Sequence, residues 1–197
     1  KNSKKIIVPS LSTKKDLINY LKVPKHKIKL IPEAVEDHFK VLKTHRQKDR
    51  NLLNQKISQY FDPKINYILS VGTLEPRKNL TKLVEAYSLL SHQIQRDYHL
   101  VLVGAKGWNN ETLNRTINNL NLTNRVIMPG FVKDEDLPYI YNKAKVFVYP
   151  SLFEGFGLPV LEALSCGVPV ISSNVSSLPE ITGKAALLIN PNQEEEI

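Results

Sequence analysis

A repeated unit, in which a short apolar run is closed by glycine and followed by a helical segment, most constrains the fold of this chain. Residues 67–71 (YILSV) lead into Gly72, and residues 99–103 (HLVLV) lead into a second glycine. Apolar residues then recur at helical spacing over 80–90 and 111–120. Such short, mainly apolar runs are typical of strands that are buried on both faces of a parallel sheet. The repetition predicts an α/β fold with a doubly wound parallel sheet.

The same pattern continues toward the C-terminus. We predict further strands at 125–128, 145–149, 168–172 and 185–189, with helices near 135–142 and around Glu162. In doubly wound sheets, ligands bind beyond the carboxyl ends of the strands. The binding site is therefore predicted in the loops that follow Val71, Val103, Met128 and Tyr149.

Residues 1–64 precede this regular pattern and differ from it. Strand-like runs at 5–9 and 27–31 flank a helical stretch that ends near Lys22 and is predicted to be capped by Ser12 or Thr13. This is a βαβ-like fragment of a larger unit. We therefore predict three regions, which are the tail of an N-terminal domain (1–38), an interdomain connector (39–64) and the sheet domain, truncated at its C-terminal end (65–197).

Charge separates the same regions. Residues 1–64 hold 16 Lys or Arg against 6 Asp or Glu, whereas the rest of the chain is slightly acidic. An anionic membrane surface would suit this basic region as a peripheral contact, and a solvated lysine-rich surface is the alternative. Nucleic acid is disfavoured because aromatic residues do not alternate with the lysines. No apolar run approaches the roughly 20 residues that a bilayer span needs.

The single cysteine, Cys166, excludes an internal disulfide and a cysteine-based zinc cluster. A reducing compartment is therefore expected, which places the protein in the cytoplasm, with the inner face of the membrane as the place where a basic region would act. Cys166 lies in a helical apolar pattern without a neighbouring His or basic residue. This setting predicts a buried structural thiol rather than a reactive one.

The loop after the first of the regular strands, 72–80 (GTLEPRKNL), carries two cations. Gly72 permits a tight turn, and Arg77 and Lys78 enter a helix that is predicted to start near Asn79. A guanidinium fork and an ammonium group at this edge match the charge and the acceptor oxygens of a diphosphate. The alternative is a pair of solvated cations, although cations at a helix start oppose the helix dipole.

Two carboxylates, Glu154 and Glu162, lie in the stretch 149–171 (YPSLFEGFGLPVLEALSCGVPVI). The Gly-Phe-Gly turn between them (155–157) precedes a helix, where backbone N–H groups bind anions such as phosphate. Glu162 is predicted in the first turn or so of that helix, where a carboxylate can accept both hydroxyls of a ribose. A glycosidase pair must flank one bond, whereas eight residues of continuous helix rise about 12 Å. The two acids are therefore predicted to hold two ends of one ligand rather than to be a loop acid and a helix-start acid in solvent.

The loop after Met128 combines a backbone feature with acidic residues. The main chain of Phe131 and Val132 is predicted at the sheet edge, suited to reading a base. Asp134 and Asp136 form a D-x-D sequence of the kind that holds Mg²⁺ on a nucleotide sugar. Because they precede a helix, capping and interaction with the helix dipole are favoured instead, and we predict that no metal is bound.

Read in order, the segments GTLEPRKNL, PGFV, VYPSLFEGFGLPVLE and CGVPVISSN–LPE resemble the retaining glycosyltransferases of family 4, the glycosyl transferases group 1. Glu154 and Glu162 match the E-x7-E pair of that family, and the resemblance covers about 65–190. Residues 8–35 also resemble the end of the family's N-terminal domain. The resemblance implies the GT-B architecture, in which two Rossmann-like domains face each other across a cleft, and this chain would supply the C-terminal, donor-binding one.

The resemblance also implies an activity. It is metal-independent transfer of a sugar, with retention at the anomeric carbon, from a UDP- or GDP-linked nucleotide-diphospho-sugar to a glycan or lipid-linked acceptor, without a cofactor. Arg77 and Lys78 would neutralise the diphosphate, and Glu154 would hold the donor sugar, so these three are the implied catalytic residues. The fragment by itself would bind the donor but transfer poorly.

Further donor contacts follow from the same resemblance. Glu162 would hold the ribose, and the remaining donor-binding positions would be Gly72, Thr73, Phe131, Val132, Gly155, Phe156, Gly157 and Leu158. Two positions depart from the family. Thr73 stands where an Arg is frequent, which leaves more of the charge neutralisation to Arg77, and Glu33-Ala34 replaces the usual Asn-Gly of the interdomain segment.

Two other functions are open on the sequence. Another GT-B enzyme, such as a sugar-nucleotide epimerase or a phosphorylase, would share the fold and the donor site. A non-catalytic member that acts as a structural partner is disfavoured because both acids are retained.

Overall fold

The computed structural model describes residues 3–43, 45–108 and 111–197. The strands of these ranges are β1 (Ile6–Val8), β2 (Ile28–Leu30), β3 (Asn66–Val71), β4 (Tyr98–Val103), β5 (Val126–Gly130), β6 (Val146–Tyr149), β7 (Val170–Ser173) and β8 (Leu187–Ile189). Strands β3 to β8 form one parallel sheet in the order β5-β4-β3-β6-β7-β8, and β1 pairs with β2 in parallel. The predicted α/β fold with a doubly wound parallel sheet is confirmed.

The helices of the described ranges are α1 (Leu11–Asn19), α2 (Gln47–Ile57), α3 (Leu80–Leu89), α4 (His92–Asp97), α5 (Glu111–Asn119), α6 (Leu137–Lys143), α7 (Leu158–Ser165) and α8 (Leu178–Thr182). The short helices α4 and α8 were not predicted from the apolar spacing. Within the described ranges, no helix combines the length and the apolar character that a membrane crossing requires.

The strand order reverses direction at β3. From this strand the chain builds outward through β4 to β5 and then returns to the other side of β3 with β6. The two strands are in register at Ile68 with Val146 and at Leu69 with Phe147. Ligands bind at such a switch point, beyond the carboxyl ends of the strands. The loops that follow Val71 and Tyr149 are therefore neighbours, although they are far apart in sequence.

The sheet is buried on both faces, as a parallel sheet covered by helices must be. Alternate residues of β4 belong to different sides, because side chains on a strand alternate between faces. Val101 and Val103 pack in one cluster with residues of β6, α6 and α7, whereas Leu100 and Leu102 pack in a second cluster with residues of α3 and α5. This double cover holds the strand ends in fixed positions at the edge where the loops gather.

The N-terminal helix begins earlier than predicted. Ser10 is extended (φ −140°, ψ 159°), and its hydroxyl accepts a hydrogen bond from Thr13 N at 3.0 Å. This is N-cap geometry, so α1 starts at Leu11. The prediction that Ser12 or Thr13 caps this helix is wrong, because the chain is already helical at both positions.

The predicted connector contains helix α2, which packs on the sheet domain. Leu53 and Ile57 are buried in the same cluster as the β6 side chains. Lys56 Nζ lies 2.7 Å from Asp136 Oδ1, and the Tyr60 hydroxyl donates to Asp136 Oδ2 at 2.7 Å. The capping role predicted for Asp136 is therefore wrong, since its carboxylate fastens α2 and the residues after it to the start of α6.

We expect Asp136→Asn to destabilise the fold in a pH-dependent way. Burial by itself would raise the pKa of Asp136, but hydrogen bonds from Lys56 and Tyr60 hold that pKa below its usual value of 3.8. A carboxylate with a lowered pKa stabilises the fold above its unfolded pKa, and this contribution is lost as the pH falls through the folded pKa. The substitution should lower the midpoint of thermal unfolding at pH 7 by about 3 °C.

Thermal unfolding followed by circular dichroism at pH 7 and at successively lower pH tests this expectation. Glu135→Gln, in the same turn but exposed, is the matched control and should leave the midpoint unchanged. A midpoint of Asp136→Asn equal to that of the wild type at pH 7, or a difference that persists undiminished as the pH falls well below 3.8, would contradict the assignment.

Candidate functional site

The candidate site lies where the loops after β3, β4 and β6 meet. Gly72 N donates to Val103 O at 2.9 Å and Leu74 N donates to Ala105 O at 3.0 Å, so the first two loops run side by side. A Cβ placed on Gly104 would lie 2.0 Å from the Gly72 carbonyl oxygen. Only glycine permits this approach, and here the sequence pattern of a glycine after each strand has its physical cause.

Glu154 is the centre of a charge cluster at this edge. Its Oε1 lies 2.7 Å from Lys78 Nζ, and it accepts hydrogen bonds from Ser151 Oγ at 2.8 Å and from the Tyr149 hydroxyl at 2.9 Å. Lys78 also donates to the Tyr149 oxygen, and its ammonium lies 4.9 Å from the centroid of that ring. The other oxygen, Oε2, lies 2.7 Å from Arg77 Nη1. The structure thus brings together the three residues that the sequence implied as catalytic.

Burial differs within this cluster. Lys78 and Glu154 are each 7% exposed, whereas the Arg77 side chain is 45% exposed. Burial would raise the pKa of Glu154, but Lys78, Ser151 and Arg77 together hold that pKa below its usual value. Burial lowers the pKa of Lys78, and the charge of Glu154 opposes this shift. Arg77 is therefore the cation of this cluster that an anion from solvent would reach.

The positions of the two cations follow from local backbone geometry. Arg77 and Lys78 lie in the 3-10 turn Pro76–Lys78, and Asn79 then adopts a left-handed conformation (φ 58°). Helix α3 consequently begins at Leu80, one residue after its predicted start, and the two cations lie in the turn that leads into it. The Arg77 carbonyl accepts from Leu152 N at 2.8 Å and from Ser151 Oγ at 3.0 Å, which ties the loop after β3 to the loop after β6.

Two serines after β7 hold the loop that carries Glu154. Ser177 Oγ donates to the Glu154 carbonyl at 3.0 Å and lies 2.7 Å from the Phe156 carbonyl oxygen. Ser176 Oγ donates to the Glu154 carbonyl at 2.6 Å and accepts from Glu154 N at 3.1 Å. Gly157 ends the turn in a left-handed conformation (φ 118°), and a Cβ there would lie 2.8 Å from Leu178 Cδ2. The Gly-Phe-Gly turn is therefore fixed by main-chain and packing contacts.

The N-terminal residues dock on the same loop. Thr13 Oγ1 donates to the Gly155 carbonyl at 3.1 Å. The Glu180 carboxylate, on α8, accepts from Leu11 N at 3.0 Å and from Ser12 N at 3.1 Å. A carboxylate suits the start of a helix, where N–H groups lack partners within the helix. The start of α1 is thus held by polar contacts against the loop that carries Glu154 and against α8.

Glu162 has a different hydrogen-bond partner from those of the Glu154 charge cluster. Its Oε2 accepts a hydrogen bond from the Tyr141 hydroxyl of α6 at 2.8 Å. Burial raises the pKa of Glu162, and the hydrogen bond from Tyr141 opposes that shift. Because α7 begins at Leu158, Glu162 is its fifth residue, and its predicted place in the first turn or so of that helix is confirmed. The two acids have different partners, one on the cations of the loop after β3 and the other on α6.

The remaining positions that the sequence selected lie at the same edge of the sheet. Phe131 is 71% exposed and Val132 is 3% exposed, directly after β5. Thr73 is exposed and Leu158 is partly buried at the start of α7. A Cβ on Gly72 would lie 3.3 Å from Lys78 Cε, so this glycine gives the buried lysine its room.

The two aspartates of the D-x-D sequence have different partners. Asp136 pairs with Lys56, whereas Asp134 Oδ2 lies 3.1 Å from His38 Nε2. His38 Nδ1 lies 3.4 Å from Glu36 Oε2, and the group formed by Glu36, His38 and Asp134 offers three possible ligand atoms within 4.8 Å of one another. Both carboxylates of this group are exposed. The prediction that no metal is bound stays a prediction.

Cys166 is 3% exposed, at the end of α7. Burial raises its pKa to about 12, and the charge of Glu162 adds to the shift. The prediction of a buried structural thiol is confirmed.

Several residues of the site were not identified from the sequence. Tyr149 and Ser151 lie in the stretch that was selected, yet their contacts to Glu154 depend on how the strand ends, which periodicity does not reveal. Ser176, Ser177 and Tyr141 act from other segments. The signal available for the serines was their position directly after a predicted strand, where small polar residues hold main-chain groups.

A sequence model of the family described as glycosyl transferases group 1 matches residues 54–197. This range contains the cluster around Glu154 and also Glu162. Residues 3–43 lie before the match.

The curated relatives include two proteins of Escherichia coli. O-antigen chain mannosyltransferase B is 49% identical over 131 residues, which is 66% of this chain and 34% of that protein. Serotype-specific mannosyltransferase WbdA is 36% identical over 194 residues, which is 98% of this chain and 23% of that protein. The chain therefore spans about a third or less of the length of these relatives.

Among solved structures, Anabaena Alr3699/HepE in complex with UDP and glucose superimposes with a TM-score of 0.83. The match covers 98% of this chain and 51% of that one, at 20% identity. At this identity the likeness shows the fold, and it includes the N-terminal residues that lie before the family match.

We expect Tyr141→Phe to raise the pKa of Glu162 further. The Tyr141 hydroxyl donates to the carboxylate and so favours its charged form, while burial favours the neutral form. Removing the hydroxyl leaves burial unopposed. A titration of the Glu162 side-chain carbonyl carbon by NMR, compared between wild type and variant, measures the shift directly. Tyr139→Phe, a hydroxyl deletion on the same helix, is the matched control and should leave this titration unchanged. An unaltered Glu162 titration in Tyr141→Phe would contradict the hydrogen bond.

Proposed function

Because this chain belongs to the glycosyl transferases group 1 family, we propose that it is the donor-binding domain of a retaining glycosyltransferase. The enzyme moves a sugar from a nucleotide-diphospho-sugar to a glycan or lipid-linked acceptor. The observation that carries this proposal is the meeting of Arg77, Lys78 and Glu154 at the switch point of the sheet. Two cations and one carboxylate there match the diphosphate and the hydroxyls of one donor.

The diphosphate is the part of the donor that the cations recognise. The Arg77 side chain is 45% exposed, and Lys78 places a second positive charge behind it. Charge-assisted hydrogen bonds from such groups to phosphate oxygens are about twice as strong as neutral ones. The departing nucleoside diphosphate gains negative charge as the bond to the sugar breaks, and the cations offset it. This chemistry needs no metal ion.

The sugar and the ribose occupy opposite sides of the diphosphate. Glu154 accepts hydrogen bonds from the donor sugar, supported by the backbone of Gly155, Phe156 and Gly157, which the serines after β7 hold in place. Glu162, oriented by Tyr141, accepts the two hydroxyls of the ribose. This assignment gives each acid its own partner, in agreement with their separate contacts in the protein.

The base lies against the loop after β5. The exposed ring of Phe131 and the main chain next to the buried Val132 offer an apolar surface and backbone hydrogen-bonding groups at the same edge as the cations. Thr73 and Gly72 lie next to the diphosphate of the donor, and Leu158 lies next to its sugar. Main-chain groups distinguish bases by their hydrogen-bonding edges without adding charge.

The transferred sugar is proposed to be mannose. The two relatives with the matches described above are mannosyltransferases, one of them of the O-antigen chain, and the match to the second covers 98% of this chain. The solved relative that binds UDP and glucose supports a nucleoside diphosphate in this fold. A polysaccharide chain is the corresponding acceptor class. Contact of the basic residues 1–64 with an anionic membrane stays a prediction from their charge.

We expect this chain to bind nucleoside diphosphates or their sugars, and Arg77→Ala to weaken the binding about tenfold or more through loss of charge-assisted hydrogen bonds. Calorimetry with UDP, GDP and ADP, and with UDP-glucose, GDP-mannose and ADP-glucose, measures it. Glu162→Ala should weaken the binding of the nucleoside diphosphate by a similar factor. Arg115→Ala, an exposed arginine of α5, is the matched control. Absence of binding by the wild type at millimolar concentration of every probe would refute the donor site.

A second expectation concerns transfer by the intact enzyme. Turnover of the donor with a glycan acceptor should be unchanged by excess EDTA, because Arg77 and Lys78 supply the charge that a metal would otherwise provide. The product should keep the anomeric configuration of the donor, which NMR of the new linkage reveals. Turnover that requires added Mg²⁺, an inverted linkage, or consumption of donor without any acceptor would contradict the proposed reaction; the last result would favour an epimerase.

A further inference from the structure

The cations of the candidate site are already neutralised by the protein itself. Arg77 lies between two carboxylates, with Nε 2.6 Å from Glu75 Oε1 and Nη1 2.7 Å from Glu154 Oε2. Lys78 lies on the other oxygen of Glu154. The four charges cancel, so an incoming diphosphate meets a neutral cluster and not a free pair of cations. A new anion at Arg77 therefore competes with these two carboxylates for the same charge.

The two oxygens of Glu154 are held very differently. Oε1 contacts three groups, Lys78 Nζ, Ser151 Oγ and the Tyr149 hydroxyl, at 2.7–2.9 Å. Among the described residues, the polar contact of Oε2 is with Arg77 alone, through a side chain that is 45% exposed. Loss of the Oε2 contact therefore leaves the carboxylate charge compensated by buried partners. Loss of the Oε1 contacts would leave Lys78 buried without its counter-ion, which is far more costly.

From this asymmetry we infer that Glu154 Oε2 is an internal anion on Arg77 and that donor binding exchanges it for a phosphate oxygen. The exchange frees Oε2 to accept a hydroxyl of the donor sugar, while Oε1 remains anchored. The inference rests on the proposed role of Arg77 as a diphosphate ligand. Glu154 then also sets the ligand selectivity of the site. Its charge opposes the binding of a bare nucleoside diphosphate and favours the binding of one that carries a sugar.

Specific consequences follow for three ligands. A nucleoside diphosphate must break the Arg77–Glu154 contact and leaves Oε2 without a new partner. A nucleotide sugar breaks the same contact but replaces it with a sugar hydroxyl. A free monosaccharide cannot release Oε2, because it brings no anion to Arg77. The protein should therefore bind the nucleotide sugar more tightly than the bare nucleotide and should not bind the free sugar measurably.

The test compares wild type with Glu154→Gln by calorimetry, with the nucleoside diphosphate that binds best and with its sugar. Gln keeps the shape but removes the charge that competes for Arg77. We expect affinity for the bare diphosphate to rise about fivefold, the effect of one lost ion pair at a partly exposed guanidinium. We also expect the ratio of the two affinities to fall about tenfold, because a charged acceptor of the sugar hydroxyls is lost. Glu85→Gln, which removes a carboxylate paired with Lys82 on α3, is the matched control and should change neither affinity.

Loss of one buried partner can unfold a protein, so a second comparison avoids the unpaired lysine. Lys78→Met leaves a single carboxylate, that of Glu154, next to Arg77. The double variant, Lys78→Met with Glu154→Gln, leaves a neutral buried pocket around Tyr149. The double variant should bind the bare diphosphate more tightly than Lys78→Met does, again by about fivefold. Circular dichroism establishes that each variant used is folded.

The possible results distinguish a failure of the proposed donor site from a failure of the exchange at Arg77. If the wild type binds none of the nucleotide probes, the proposed function fails and the inference fails with it. If the wild type binds them and the Glu154→Gln comparison shows equal or weaker affinity for the bare diphosphate, the inference alone is overturned. Tighter binding of the bare diphosphate together with loss of the preference for the sugar form supports the exchange.

Discussion

The buried ion pair between Lys78 and Glu154 is the interaction on which the rest of the site depends. It joins a residue in the turn after β3 to a residue in the loop after β6, 76 positions apart in sequence. Each charge is stable in this setting only because the other is present and because Tyr149 and Ser151 complete the hydrogen bonding. The pair therefore couples the two sides of the switch point, and it presents Arg77 at the surface of a cluster whose interior is already satisfied.

Topology places this pair where it is. A parallel sheet brings all carboxyl strand ends to one edge, and the reversal of strand order at β3 leaves a gap there between the loops after β3 and β6. The approach of the β4 loop to Gly72, which only glycine at position 104 permits, closes one side of that gap. The serines after β7 close the other by holding the Glu154 main chain. The chemistry of the site is thus a consequence of strand order together with a few close backbone contacts.

The sequence predicted the features that depend on local pattern. Short apolar runs closed by glycine identified the buried strands, and the spacing of Arg77, Lys78 and Glu154 relative to those strands placed them at one edge. The features that it missed depend on tertiary partners. Asp136 stands where a capping residue is expected, but its carboxylate pairs with Lys56 of α2 and with Tyr60, which follows that helix. The short helices α4 and α8 carry too few residues for the apolar period to be recognised.

Residues 3–32 differ from the sheet domain in the kind of contact that holds them. Helix α1 contains no buried residue among those described, and its start is fixed to Glu180 and to the Gly155 carbonyl through exposed or partly buried hydrogen bonds. Such contacts exchange with water at small net cost, whereas the Lys78–Glu154 pair does not. The charge cluster around Glu154 draws its charged side chains from Glu75, Arg77, Lys78 and Glu154, which all belong to the sheet domain. The first segment contacts the same loop from outside, at the carbonyl of the residue that follows Glu154, and supplies none of these charges.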